Sequence, residues 1–474
     1  MLAGLSPADV VEQPMNTKGE AMKKLPVVAI LLAFALLAAA CGDDSGEDTT
    51  TAPPATTAAP ETTAAPETTA APETTAAPET TEAPPETTEA PAFEALYEGD
   101  LTIGYVLPST GGLSVIIEAL VRPIEMAFAE MAEAGNSAIV VIPTDSGTDP
   151  AVASASVEQL INDEVDVILG PAGTGVALSV IDRITGSEIP MCSPSNTAAT
   201  FTTYDDGGYY FRTSPPDNLQ GQVHGDLITD GGASSVAIAF RSDEYGRGLA
   251  TAVKDQLEAN GVTVAEFLEF DKDGTSFDAE AAQIAAAGVD AISLIPFAEG
   301  AAFTQALIEA GVGPADVQLY VADGFKDNVP AEAIDPNNLA VIEGVRATAP
   351  SVAPPDGEPT FSERFAAFAP DTPTIFSAHS FDCATVMVLA AEAAGSTNSV
   401  DIAAAVNDVT RGGEKCTSYA TCHALLQQGV DIDYDGAAGP LDFVDVGEPG
   451  KGAYDIFTYD AEGVANTDAT VTIP

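Results

Sequence analysis

The chain has 474 residues, 46% of them hydrophobic and 6% aromatic, enough to bury a sizeable core and to divide it between two domains. Against 72 acids stand 16 Lys plus Arg, a formal charge of −56. That balance excludes nucleic acid, whose phosphates need clustered cations, and docking of the folded body on anionic lipid. The acids are spread along the chain, which implies a soluble, strongly hydrated surface.

Residues 1–21 carry Asp9, Glu12 and Pro14 and look nothing like a basic leader, so Met22 is the expected true start, with Met15 next. Met22-Lys23-Lys24 precedes an apolar run from Leu25 to Leu37 and then Ala38-Ala39-Ala40-Cys41. The order of a short positive region, an apolar stretch too brief to span and small residues before a cysteine is that of an export leader. It resembles a bacterial lipoprotein signal (22–40), which implies that Cys41 is diacylated and anchors the chain to the outer face of the cell membrane. Ala38 departs from the usual box, where Leu is commonest. A plain secretory signal cut near Ala40 is the alternative, and either way the chain is exported.

Residues 41–95 form a Thr/Ala/Pro/Glu tract with a six-residue repeat visible from Ala59, Ala65, Ala71 and Ala77. Proline denies it helix and almost nothing apolar is there to bury, so it reads as a disordered, extended tether. At ~3 Å per residue it would reach on the order of 150 Å. The remaining cysteines, Cys192, Cys383, Cys416 and Cys422, are an even set in an exported chain, for which three connectivities exist. Cys416 and Cys422 are six apart, so their pairing closes a small loop and leaves Cys192 with Cys383. A metal site is the sharper alternative, but His224, His379 and His423 show no ligand spacing beyond Cys422-His423; neither metal nor cofactor is expected.

From Leu101 strands and helices alternate. Leu101–Leu107 reads as a buried strand, Pro108–Gly112 as a turn, Ser114–Ala134 as a helix and Ala138–Ile142 as a second strand. Asp145–Pro150 is a loop ending in a helix N-cap with Pro at the first helical position. Val165–Leu169 and Pro190–Ser193 are strands separated by a helix after Gly175. After Gln220 the rhythm restarts with strands at Ser235–Phe240, Val262–Phe270, Ala291–Ile295 and Val317–Val321. Helices are expected at Arg247–Ala259, Phe277–Ala287 and Ala302–Ala310, with 361–395 mostly helical and short strands after Gly439. Two such blocks predict two doubly wound α/β lobes with right-handed crossovers.

Ligands in open parallel sheets collect beyond the carboxyl ends of strands. Three loops fit. Gly170-Pro171-Ala172-Gly173-Thr174-Gly175 allows close backbone approach and offers a hydroxyl, although a tight turn has the same composition. Ser193-Pro194-Ser195-Asn196-Thr197 presents hydroxyls and amides suited to a carboxylate, or an ordinary N-cap. Val321-Ala322-Asp323-Gly324 puts an acid at a strand end, to hold an ammonium or to begin a turn.

In this order the segments resemble the leucine/isoleucine/valine-binding protein family, the solute receptors of branched-chain amino-acid ABC importers. The resemblance rests on Ile103–Gly111, Val167–Pro171, Pro190–Thr197, Phe211-Arg212-Thr213 with Gln220-Gly221-Gln222, Asp243–Gly248, and Tyr434-Asp435-Gly436 to Phe443. It implies a type I periplasmic binding fold, two Rossmann-like lobes joined by a hinge: 96–214 and 349–430 in lobe 1, 215–348 and 431–474 in lobe 2. It implies that Gly173, Thr174, Ser195, Asn196 and Thr197 hold the ligand's head group, that Tyr245 and Phe297 close over it, and that Asp323 takes its ammonium. Asn196 stands where the family has a small residue, Phe297 where Tyr is frequent, and Asp323 where Glu also occurs. These departures touch side-chain specificity, and members also bind amides, urea and aromatic acids.

The expectation is therefore a monomeric, lipid-anchored receptor that captures a small amino-acid-like ligand, branched-chain by preference, and delivers it to ABC permease subunits. A sensory receptor of the same fold would need a separate partner. An exported hydrolase is disfavoured, because no Gly-x-Ser-x-Gly elbow is present and no His shares a motif with a nucleophile.

Overall fold

The computed structural model describes residues 94–351 and 360–473. The expected leader, the Cys41 anchor and all but the last two residues of the expected tether lie outside the described residues.

Five short strands build the first sheet: β1 (Leu101–Leu107), β2 (Ile139–Asp145), β3 (Val167–Leu169), β4 (Met191–Ser193) and β5 (Tyr210–Arg212), in the order β2-β1-β3-β4-β5 and parallel throughout. Parallel strands need crossovers, and helices α1 (Ile117–Glu133), α2 (Pro150–Asn162) and α3 (Thr174–Thr185) supply them. The N-cap predicted before Pro150 is present: Asp149 accepts from the amides of Ala151 and Val152 at 2.8 and 3.1 Å. The expected helix from Ser114 begins instead as a 3-10 turn, Ser114–Ile116, before α1.

The chain crosses to a second sheet through α4 (Asp217–Asp230). Strands β6 (Ser235–Arg241), β7 (Thr263–Phe270), β8 (Ala291–Ile295), β9 (Gln318–Val321) and β10 (Arg346–Pro350) are parallel neighbours. Between them come α5 (Glu244–Ala259), α6 (Asp278–Ala287), α7 (Gly300–Glu309) and the one-turn α8 (Ala331–Ile334). The chain then returns to the first sheet's side with α9 (Phe361–Phe368), α10 (Ser377–Ala394), α11 (Ser399–Ala405), β11 (Glu414–Cys416) and α12 (Tyr419–Gln427). Helix α10 is buried from Ser377 to Glu392, its polar residues Asp382 and Glu392 included, and Asp382 is satisfied by the amides of Ala437 and Ala438 and the Tyr434 hydroxyl.

The last crossing corrects the expected division at 431. Strand β12 (Ile432–Gly436) pairs with β11 on one side and with β13 (Gly439–Pro440) on the other in a small third sheet, and β12 lies against α10 and α12. Residues 432–440 therefore stay with the first block. Only β14 (Gly452–Tyr459) and β15 (Ala465–Ile473) join the second sheet, antiparallel, giving β15-β14-β10-β9-β8-β6-β7. Likewise β10 continues through Pro350, past the expected change of lobe at 349.

Both expected disulfides form. Cys192 of β4 joins Cys383 of α10, and Cys416 joins Cys422 across the β11–α12 turn. No described helix is long and apolar enough to cross a membrane.

Candidate functional site

Strand ends from both sheets meet at one cavity. The first block contributes Leu113 and Ile116 from the turn after β1, Ala172, Gly173 and Thr174 from the loop after β3, and Ser195 from the loop after β4. From the second come Tyr245, Phe297, Asp323, Gly324 and Asn328, while Ile375 and Phe376 close the apolar side. The space open to a water's centre is about 20 Å³, room for about one water.

At one end Gly173 is the N-cap of α3 and makes no side-chain cap bond. The first amides of α3 are therefore free to donate, and the Thr174 hydroxyl bonds to no described residue. The Ser195 hydroxyl donates to Ala172 O at 3.1 Å and would have to turn to serve a ligand. Asn196 and Thr197, expected to touch ligand, stand behind the wall. Asn196 is fully buried, its Nδ2 donating to Ala172 O at 2.7 Å and its Oδ1 accepting from Tyr210. The Thr197 carbonyl accepts from the Asp217 amide. Each braces the loops that do face the cavity.

Behind them Arg212 is buried and donates to Asn196 O at 3.1 Å and Ala198 O at 2.9 Å. It pairs with Glu448, whose carboxylate also takes the Thr202 hydroxyl. This buried ion pair ties the Ser195–Ala198 loop to the segment that precedes β14.

At the opposite end Asp323 lies just beyond β9. Its Oδ1 accepts from Gln220 Nε2 at 2.7 Å and from the Tyr245 hydroxyl at 3.2 Å. The Tyr245 oxygen in turn accepts from the Gly324 amide at 3.1 Å. A side chain at Gly324 would put its Cβ 2.4 Å from Pro296 O and 2.8 Å from the Tyr245 oxygen, so glycine is required there. No Lys, Arg or His pairs with Asp323 among the described residues. Burial raises its pKa to about 6, against the bonds from Gln220 and Tyr245. A second buried acid, Asp217 at the start of α4, is raised to about 8 by burial and then by the Asp323 charge. The Thr197 hydroxyl and Arg212 oppose that rise, Thr197 without a hydrogen bond of normal geometry to it.

Tyr245 and Phe297 stack, with ring centroids 5.1 Å apart. The Arg241 guanidinium lies over Phe297 at 3.6 Å and is held by Asp243 and Glu299, each at 2.7 Å. Glu299 also accepts the Phe297 amide, so ring and backbone are fixed together. On the far wall Phe376 has φ 56°, a left-handed conformation for a non-glycine residue, and serves as N-cap of α10. Such backbones cost about 1–3 kcal/mol and cluster at binding sites.

Six expected residues thus converge: Gly173, Thr174, Ser195, Tyr245, Phe297 and Asp323. The sequence reading missed Leu113, Ile116, Asn328, Ile375 and Phe376. The first two lie in a turn and at the start of a helix whose apolar pattern was legible; the last two follow α9 and carry no local signal.

Comparison with known proteins bears on the fold and the family. The chain is 26% identical over 319 residues to Leu/Ile/Val-binding protein homolog 2 of Brucella abortus, covering 65% of this chain and 82% of that one. A shorter match, 31% identical over 131 residues, is to the uncharacterized protein MJ1266 of Methanocaldococcus jannaschii, spanning 27% of this chain and 31% of that one. Among solved structures, the leucine binding protein LivK of Thermotoga maritima superposes with TM-score 0.65 at 19% identity, over 78% of this chain and 98% of that one. A solute binding protein of an R. palustris ABC transporter, in complex with benzoate, gives 0.65 at 19% identity over 78% and 96%. At such identity these two likenesses speak for the fold, a type I periplasmic binding fold. Residues 100–445, well over half the chain, match the family described as periplasmic binding protein, and the chain belongs to that family.

Proposed function

We propose that the protein is an extracytoplasmic receptor that captures a small amino acid, branched-chain by preference, and hands it to an ABC importer. The single observation behind this reading is Asp323: a buried carboxylate on the cavity wall that pairs with no basic residue among the described residues. A buried charge needs a partner, and a ligand ammonium supplies one. The free amides of α3 and the Thr174 hydroxyl suit the ligand carboxylate at the other end. Leu113, Ile116, Ile375 and Phe376 offer an apolar wall for an aliphatic side chain.

In this reading the ligand touches Gly173, Thr174 and Ser195 from one lobe and Tyr245, Phe297 and Asp323 from the other. Contact with both favours the shut arrangement over the open one. Nothing in this scheme calls for a catalytic step. The Cys41 lipid and the tether would keep the monomeric receptor near its permease.

A second reading, a receptor for aromatic acids, draws on the Tyr245–Phe297 stack. It leaves the buried Asp323 carboxylate without an ammonium to pair with. Calorimetry on the purified protein with isoleucine, leucine, benzoate and 4-hydroxybenzoate separates the two. Tight binding of an aliphatic amino acid is expected; binding of benzoate alone would discard the amino-acid reading.

A further inference from the structure

A second cleft lies where the chain passes between the sheets. Thr213 and Pro215 come from the first passage, Ser351 from the second and Lys451 from the third; with Leu441 and His379 they border about 270 Å³. No residue of this cleft belongs to the ligand cavity.

Its polar groups are nearly all engaged. The Thr213 hydroxyl donates to His379 O at 2.8 Å and the Ser351 hydroxyl to Asp455. Lys451 leans out toward Asp442 at 3.7 Å, its side chain 57% exposed. Apart from the exposed Thr472 hydroxyl, the exception is the His379 ring, buried at 3% exposure, whose nitrogens bond to no described residue. Burial lowers its pKa to about 4, so at neutral pH the imidazole is uncharged and offers one acceptor and one donor. The same ring meets Phe376 edge-on, centroids 5.7 Å apart, and Phe376 is a wall of the ligand cavity.

We infer that this cleft is a binding site for a small neutral molecule with a hydroxyl and an apolar body, hydrogen-bonded to His379. An anion has little to attract it, since the one lysine is turned toward Asp442 in a chain of formal charge −56. All three passages border the cleft, so relative movement of the sheets changes its shape. An occupant that fits one shape better shifts the balance between shut and open. The His379–Phe376 contact gives that shift a route to the ligand cavity.

Phenol is the probe. Titrated into the whole protein labelled with nitrogen-15, it is expected to move one imidazole signal saturably, and that signal is absent from His379→Phe. Ala438 also lines the cleft, and Ala438→Leu, which fills it and leaves His379 in place, is expected to weaken phenol about tenfold. Both variants are checked for an unchanged thermal transition. An imidazole signal that does not move, or phenol binding equally well to wild type and to Ala438→Leu, would overturn the site.

Discussion

Gln220 Nε2 donates to Asp323 Oδ1 at 2.7 Å and reaches Thr348 O at 3.3 Å, so a residue of α4 sets the direction of the acid beyond β9. With the Tyr245 hydroxyl, that amide fixes how the acid faces the cavity. Gln220→Met is expected to weaken amino-acid binding by about 1.5–3 kcal/mol, the range for a hydrogen bond to a charged group. Calorimetry checks it, and an unchanged affinity would remove Gln220 from the site.

Asp323 with an ammonium gives a pH dependence. Its carboxyl, raised to about 6, must be ionised to pair with a cation. Affinity for an amino acid should therefore fall as pH drops below about 6, and binding near pH 6 should release protons. Calorimetry in buffers of contrasting ionisation enthalpy measures that release directly. Asp323→Asn should abolish the release and cost about 3–5 kcal/mol of binding.

The unliganded protein should respond to pH in the opposite sense. Asp217 and Asp323 stand at about 8 and about 6 when folded, above the ordinary 3.8. Over that window the folded chain holds protons that the unfolded chain has released. Their contribution to stability is full below about 3.8 and lost as pH rises through 6 and then 8. Thermal melts from pH 5 to 9 should decline less steeply for Asp217→Asn than for wild type. Parallel curves would contradict the assignment.

Arg212 and Glu448 form a buried pair, and its two halves should not be separable. Arg212→Met alone leaves Glu448 charged and unpartnered and should destabilise by about 3–5 kcal/mol. The double variant Arg212→Met, Glu448→Leu should recover most of that loss. Denaturant unfolding of the four proteins completes the cycle, and additive losses would argue against the pair.

The two disulfides should differ in weight. Cys192–Cys383 closes a separation of 191 residues and Cys416–Cys422 one of 6. Chain entropy alone assigns roughly 5 kcal/mol to the first and roughly 2 kcal/mol to the second. Paired Cys→Ala variants in equilibrium unfolding would reveal the order; a larger loss at Cys416–Cys422 would contradict it.

Much of this was readable from residues. β1 is buried on both faces and reads as a continuous apolar run, and β7 alternates exposed and half-buried positions along its length. The three ligand loops stand where strand ends put them. What escaped had physical reasons. β5 and β11 are three residues each, too short to show a period. β12 was assigned to the wrong block because strand pairing is non-local and its partner β11 left no trace. Asn196 and Thr197 sit in the right loop, but which residue of a loop faces in and which faces back is decided by tertiary neighbours such as Arg212 and Tyr210. Ile375 and Phe376 reach the cavity through a left-handed turn that no glycine announces.

The scarcity of basic residues acquires a meaning at the ligand cavity. Arg241 is engaged by Asp243 and Glu299, and Arg212 by Glu448. Each guanidinium near the cavity is thus already spoken for by an acid of its own. A free lysine within reach of Asp323 would behave as a tethered competitor, present at an effective concentration in the millimolar range, and would lower the apparent affinity for any arriving cation. Lys326, three residues after Asp323, turns its ammonium over the Phe457 ring at 5.1 Å instead, and the self-inhibition is avoided.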